Sequence, residues 1–263
     1  MIIDFHVHCF IDELAPRALA TLSGLSGLQP KTDGTVPGIK ESMKKANINK
    51  SVVLSIATKP QQALKITQWA SMIQSDSIIA FGSIHPDSDN WKNELSEICA
   101  SGVKGIKFHP EYQEFFIDDP RMYPIYERAA ELGLIMIFHA GADVGFQPPY
   151  HCMPDRMRHM VRDFKGAKIV AAHMGGYDRW SEVEEYLVGE DLYFDTSFSM
   201  PRLKEDQFIR MVKNHGFKKV LFGTDSPWGD QTEDLELLNK VKLPPEEMSA
   251  ILGGNAANLL GLT

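Results

Sequence analysis

The residues here with chemistry to offer are histidines and aspartates at particular spacings. The chain opens Met-Ile-Ile-Asp-Phe-His-Val-His, so His6 and His8 stand two apart in an apolar run. On a β-strand, residues i and i+2 point to one face, and two imidazoles placed so can reach a single ion. Polar residues follow later short apolar runs in the same way: His85, Lys107 with His109, His139, His173 and Asp225. Six of the nine histidines are placed like this. Taken singly the signals are modest. An isolated His-x-His is more often structural, a lone His139 or His173 reads as a hydrogen-bonded core histidine, and Asp225 in Gly-Thr-Asp-Ser-Pro reads as a turn or cap residue. Their common position at the ends of successive runs points to a joint site. His6, His8, His139 and Asp225 then offer three nitrogens and a carboxylate oxygen to a metal, with room for water.

The elements that must position them alternate along the chain. Apolar runs at Ile2 to Val7, Ser51 to Ile56, Ile78 to Ile84, Val103 to Phe108, Leu134 to Phe138, Lys168 to Ala172, Leu192 to Asp195 and Lys219 to Phe222 read as buried parallel strands. Helical patterns fill the gaps, as at Pro60 to Gln74, Trp91 to Ala100, Arg121 to Leu132, Pro154 to Phe164, Ser181 to Leu187 and Leu203 to Asn214. Gly102, Gly133 and Gly216 fall where C-terminal caps are expected. Eight strand-helix units predict one (β/α)8 barrel domain over residues 1–263 with a C-terminal helical extension; an open doubly wound sheet is the runner-up. Strand ends converge on one mouth of such a barrel, where active sites are found. Ser23 to Gly38 is read as a loop, and Pro244 to Leu262 as a helix, a break at Gly253-Gly254 and a short second helix.

The chain has 263 residues, 43% of them hydrophobic and 24% charged, as in ordinary globular proteins. A net charge of -8 without a basic block argues against nucleic acid and anionic membranes as partners. No apolar run approaches the roughly 20 residues that span a bilayer. The start lacks a basic n-region and a cleavage site, so no signal peptide is expected. Cys9, Cys99 and Cys152 are odd in number and scattered, which fits reduced thiols and a cytoplasmic location.

The order of His-x-His on strand one, His-Ala-Gly on strand five, His-Met-Gly-Gly on strand six and Phe-Gly-Thr-Asp-Ser-Pro-Trp on strand eight resembles the amidohydrolase superfamily. More closely, it is similar to the amidohydrolase-related branch that includes the aminocarboxymuconate-semialdehyde decarboxylase type. Gly253 to Leu262 is similar to that branch's C-terminal helix, so the resemblance spans essentially the whole chain. It implies that His6, His8, His139 and Asp225 are metal ligands. His173 would bind a metal or orient water, and Asp225 would double as general base. One divalent ion is favoured over two, zinc over manganese. Many dinuclear relatives bridge their ions with a carboxylated lysine after strand four; Lys107 lies in that region, and a positively charged substrate wall is the favoured role for it.

His109, Arg179 and Trp228 are the remaining candidates for substrate contact. Arg179 could meet a carboxylate or simply be a solvated helix-start charge. Tyr112, Phe115 and Phe116 could wall a pocket or pack, and alternation turns Cys9 away from the ligands. The expected function is metal-dependent hydrolysis of an ester, lactone or amide in a small molecule. The alternative is non-oxidative decarboxylation of an aromatic or muconate-type acid. Such decarboxylases usually carry a larger insertion after strand one, and the short Cys9 to Gly38 segment favours hydrolysis. A non-catalytic metal-binding scaffold is a third reading, opposed by the intact ligand set. A homodimer is the expected oligomeric state.

Overall fold

Each apolar run forms a strand in the computed structural model, which describes residues 1–262. The strands are β1 (Ile3–Val7), β2 (Lys50–Leu54), β3 (Ile78–Phe81), β4 (Gly105–Phe108), β5 (Ile135–Phe138), β6 (Ile169–Ala171), β7 (Tyr193–Asp195) and β8 (Val220–Leu221). All pair in parallel, β1-β2-β3 in one group and β4 through β8 in the other. Backbone hydrogen bonds close both seams. Gly82 N donates to Gly105 O and Lys107 N to Gly82 O; Phe5 N donates to Phe222 O and Asp225 N to His6 O. The eight strands therefore form a closed barrel.

Helices follow the strands around its outside: α1 (Ala15–Ser26) and α2 (Val36–Ala46) after β1, then α3 (Ala63–Ile73), α4 (Trp91–Ala100), α5 (Tyr123–Glu131), α6 (Pro154–Asp163), α7 (Trp180–Tyr186), α8 (Glu205–His215) and α9 (Gln231–Lys240). Two buried clusters result. Ile3, Phe5, Val52, Phe81, Ile137 and Leu221 fill the barrel, while Val53, Ile106, Phe108, Met136 and Phe138 on the opposite strand faces meet the helices. This is the two-residue alternation of a strand buried on both sides. In β1 the register against β2 slips by one residue between Asp4 and Val7. Such an irregularity re-aims side chains, so Phe5 joins the barrel filling while His6 and His8 still face the mouth.

Two expectations need correction. The segment from Ser23 to Gly38 is not simply a loop. α1 runs through Ser26 and ends at Gly27 (φ 71°), and α2 begins after Thr35, whose side chain accepts from Gly38 N. Nor does the chain break at Gly253-Gly254. α10 (Pro245–Ser249) passes through a π-turn, 250–254, directly into α11 (Asn255–Leu260). Glycine is needed there for close approach instead: a Cβ on Gly253 would lie 2.2 Å from Met1 O. Ala256, Ala257, Leu259 and Leu260 join the barrel-filling cluster and seal its N-terminal end. No helix among the described residues is long and apolar enough to cross a membrane.

Candidate functional site

β1 and the turn after β8 bring three donor atoms together at the mouth. His6 Nε2, His8 Nε2 and Asp225 Oδ1 are each 3.2 Å from the other two. The partners on the far side of each ring set its tautomer. His6 Nδ1 lies 2.9 Å from Asp195 Oδ2, and His8 Nδ1 lies 2.7 Å from Leu54 O. Both partners only accept, so each Nδ1 carries the proton and each Nε2 presents a lone pair. A carboxylate oxygen and two lone-pair nitrogens thus converge with no proton between them. Uncompensated, that arrangement is repulsive, and its spacing is that of neighbouring ligands bonded at about 2.1 Å to one ion. The residues fit a metal.

The same reasoning extends inward. His173 Nδ1 is 3.0 Å from Ser197 O, leaving Nε2 as an acceptor; His139 Nε2 is 3.2 Å from Ala142 O, leaving Nδ1 as an acceptor. These two free nitrogens face each other at 3.0 Å, and the His173 ring lies 5.3 Å from that of His6. Burial pushes His139 down to about 3 and His173 to about 4, and holds His6 well below its ordinary value. All three imidazoles are neutral near pH 7, as a metal ligand must be. Burial pushes the Asp225 carboxyl upward, but the neighbouring side chains of His8, His6 and His173 outweigh it and hold the group well below the usual range. Asp225 (φ 64°) and His173 (φ 60°) both occupy the left-handed region. For residues other than glycine this costs about 1–3 kcal/mol each and recurs at functional sites.

His139 also belongs to a second group. Asp143 Oδ2 lies 3.3 Å from His109 Nε2 and 3.5 Å from His139 Nε2, and the two rings stack 4.2 Å apart. His109 Nδ1 accepts from Tyr112 N, so its Nε2 is the donor. Both nitrogens facing Asp143 therefore carry hydrogen. Burial raises the Asp143 carboxyl, yet the His109 hydrogen bond and the two imidazoles bring it well below the usual range. The residue types would suit an ion, but this group is satisfied internally and needs none. Gly141 (φ 85°) permits its loop: a Cβ there would lie 2.3 Å from Tyr177 N.

Lys107 is buried on the floor, its Nζ 3.3 Å from His6 Nε2. Burial lowers it to about 8, although Asp195 and Asp225 act to raise it. His109, Tyr112 and Trp228 line the cavity above, which has a volume of about 620 Å³. Arg179 does not line it. The turn entering α7 carries this side chain outward, where its guanidinium lies 5.7 Å from the centre of the Tyr150 ring. Phe115 packs edge-to-face on Phe108 and Phe116 on His151, so these two are packing residues. Cys9 points its thiol at Thr35 O. Sequence reasoning missed Asp143, Asp195 and Ser197. Asp195 ends strand seven and was open to the strand-end argument; Asp143, four residues beyond His139 in a loop, carried no periodic signal.

A family model described as amidohydrolase matches residues 3–262, and the chain belongs to that family. It is an enzyme of the amidohydrolase superfamily with a divalent-metal site. No curated protein sequence matches it. Among solved structures, an uncharacterised TIM-barrel protein of Bordetella bronchiseptica is similar at 21% identity and a TM-score of 0.80, over 99% of this chain and 98% of that one. A manganese-bound 5-carboxyvanillate decarboxylase of Novosphingobium aromaticivorans shares 12% identity at a TM-score of 0.75, over 99% and 97% of the two chains. A protein described as a probable 2-pyrone-4,6-dicarboxylic acid hydrolase of Acinetobacter baumannii, with citric acid bound, shares 16% identity at a TM-score of 0.67, over 99% of each. At these identities the likeness is one of fold.

Proposed function

We propose that this protein is a metal-dependent hydrolase that opens an ester, lactone or amide carbonyl of a small molecule, acting as one barrel domain. The observation that carries this reading is the proton-free convergence of His6 Nε2, His8 Nε2 and Asp225 Oδ1 beneath an open cavity. These three residues would hold a single ion, with His139 and His173 completing its surroundings. The nitrogen-rich set suits zinc, and manganese also accepts such ligands. When bound, the ion polarises a carbonyl and lowers the pKa of water from about 15.7 to roughly 7.

The chain's own residues supply the remainder. Asp225 takes the proton from the attacking water and returns it to the leaving group. His173, fixed by Ser197 O, orients that water. The Lys107 ammonium faces the floor where negative charge develops on the carbonyl oxygen. His109, Tyr112 and Trp228 hold the substrate from the sides. Asp195 and Asp225 already balance the charge of Lys107, and no arginine lines the cavity. A neutral carbonyl therefore suits the site better than a carboxylate to be expelled as carbon dioxide.

The test is a paired screen of the metal-loaded protein: neutral esters, lactones and amides by hydrolysis, and labelled aromatic acids by release of carbon dioxide. Hydrolysis that disappears in Asp225→Asn supports the proposal. Carbon dioxide release without hydrolysis overturns it in favour of the decarboxylase.

A further inference from the structure

α1 and α3 each present apolar side chains to the cavity. Leu14 at the N-terminal cap of α1, with Ala18, Leu22 and Ser26 on the helix, recur every fourth residue and line the cavity; on α3, Ile66 and Trp69, three apart, also line it, Trp69 resting on the core as well. Residues four apart share one helix face. Leu22 and Ile66 lie outside both clusters of core residues, as do Phe10, Leu28 and Ile56 on the same wall. At the rim, Ile11, Leu14 and Val144 are exposed by 42%, 54% and 42%. A helix normally spends its apolar stripe on the core, and a contiguous exposed apolar patch marks a binding surface. This patch is continuous with the histidine centre, because one cavity is lined by both.

The wall offers little else. Ser26 Oγ donates to Leu22 O, and Gln62 Oε1 accepts from Lys59 N, so both are engaged locally. Among the described residues, Lys65 is the only lysine or arginine in the lining besides Lys107. From Leu14 to Leu22 the stripe extends about 12 Å, at 1.5 Å per residue.

We propose that the substrate carries an uncharged apolar arm, an acyl chain or alkyl-substituted ring, that lies along the stripes of α1 and α3 while its carbonyl sits at the histidine centre. This rests on the hydrolase reading for the carbonyl but not for the arm. The arm determines which carbonyl compounds are accepted, and short or multiply charged acids leave this wall unused.

Calorimetric titration of methyl n-alkyl ketones from 2-butanone to 2-decanone, which carry a neutral carbonyl that cannot be hydrolysed, into metal-free and metal-loaded protein tests the arm without any turnover. Affinity should rise about three- to fourfold per added methylene, as ~0.8 kcal/mol per buried methylene requires. Leu22→Arg and, separately, Ala18→Trp should flatten that series while the melting temperature stays within a few degrees. A flat series in the wild type overturns the inference, and so does an equally steep series in both variants, which would place the chains elsewhere. A steep series that the variants flatten, together with no hydrolysis of octanoyl esters or amides, would retain the arm site and sink the hydrolase reading alone.

Discussion

The mouth of this barrel holds two groups of two histidines and one aspartate, and they differ in where the protons lie. In the group of His6, His8 and Asp225, the outer partners Asp195 and Leu54 O accept the ring protons, so three acceptors meet at 3.2 Å with only Lys107 Nζ, 3.3 Å from His6 Nε2, as a donor beside them. In the group of His109, His139 and Asp143, the ring protons point inward at the carboxylate, and the rings stack at 13°. Composition and spacing alone would class both as metal sites. The comparison teaches that the group behind a ligand decides whether a cluster calls for a cation or is already complete.

The sharpest way to break this comparison is Asp225→Asn. Turnover should fall on the order of 10³-fold, within the range of a lost general base, with an unchanged melting curve. Wild-type turnover in that variant would remove Asp225 from the mechanism. Next, His6→Ala with His8→Ala should reduce bound metal from about one equivalent per chain to little, as loss of two ligands demands. Nearly two equivalents in the wild type, by elemental analysis, would give the second group an ion after all. Asp195→Asn touches no ion directly, yet it should weaken metal affinity roughly 10- to 100-fold by freeing the His6 tautomer. Asp143→Asn should leave metal content unchanged and lower turnover less than Asp195→Asn does.

The smallest effect uses a histidine outside both groups. His215 Nδ1 accepts from Gly189 N, its Nε2 faces Leu192 O, and burial lowers it to about 4 from 6.5. Between those values the unfolded chain binds the proton and the folded chain does not. Stability from His215 is thus complete above pH 6.5 and lost as pH falls toward 4. In His215→Gln, the melting temperature should fall less steeply over that window. An equal slope would show that His215 takes up its proton in the folded state.

What was legible in the sequence follows the same physics. Buried parallel strands are short apolar runs wherever they occur, and two-residue alternation binds His6 to His8 whatever surrounds them. α1 was hidden because its second stripe faces a cavity and its end is rich in glycine and serine. The Leu54 carbonyl that sets the His8 tautomer is backbone, and no residue type announces it. Arg179 was placed by its nearness to His173 in sequence, but the positive φ of Asp178 (54°) turns the chain before the side chain can reach the mouth.

The closure of the barrel between β1 and β8 has a bearing on how the protein is made. Asp4 and Thr224, 220 residues apart, hydrogen bond across that seam, and the ion's proposed ligands stand on both sides of it. During synthesis, His6 and His8 leave the ribosome long before Asp225 exists. Until then they form only half a chelate, free to bind the wrong metal or none. With these ligands, tight ion binding would be a property of the finished ring, and uptake of metal by a growing chain would report the moment at which its two ends meet.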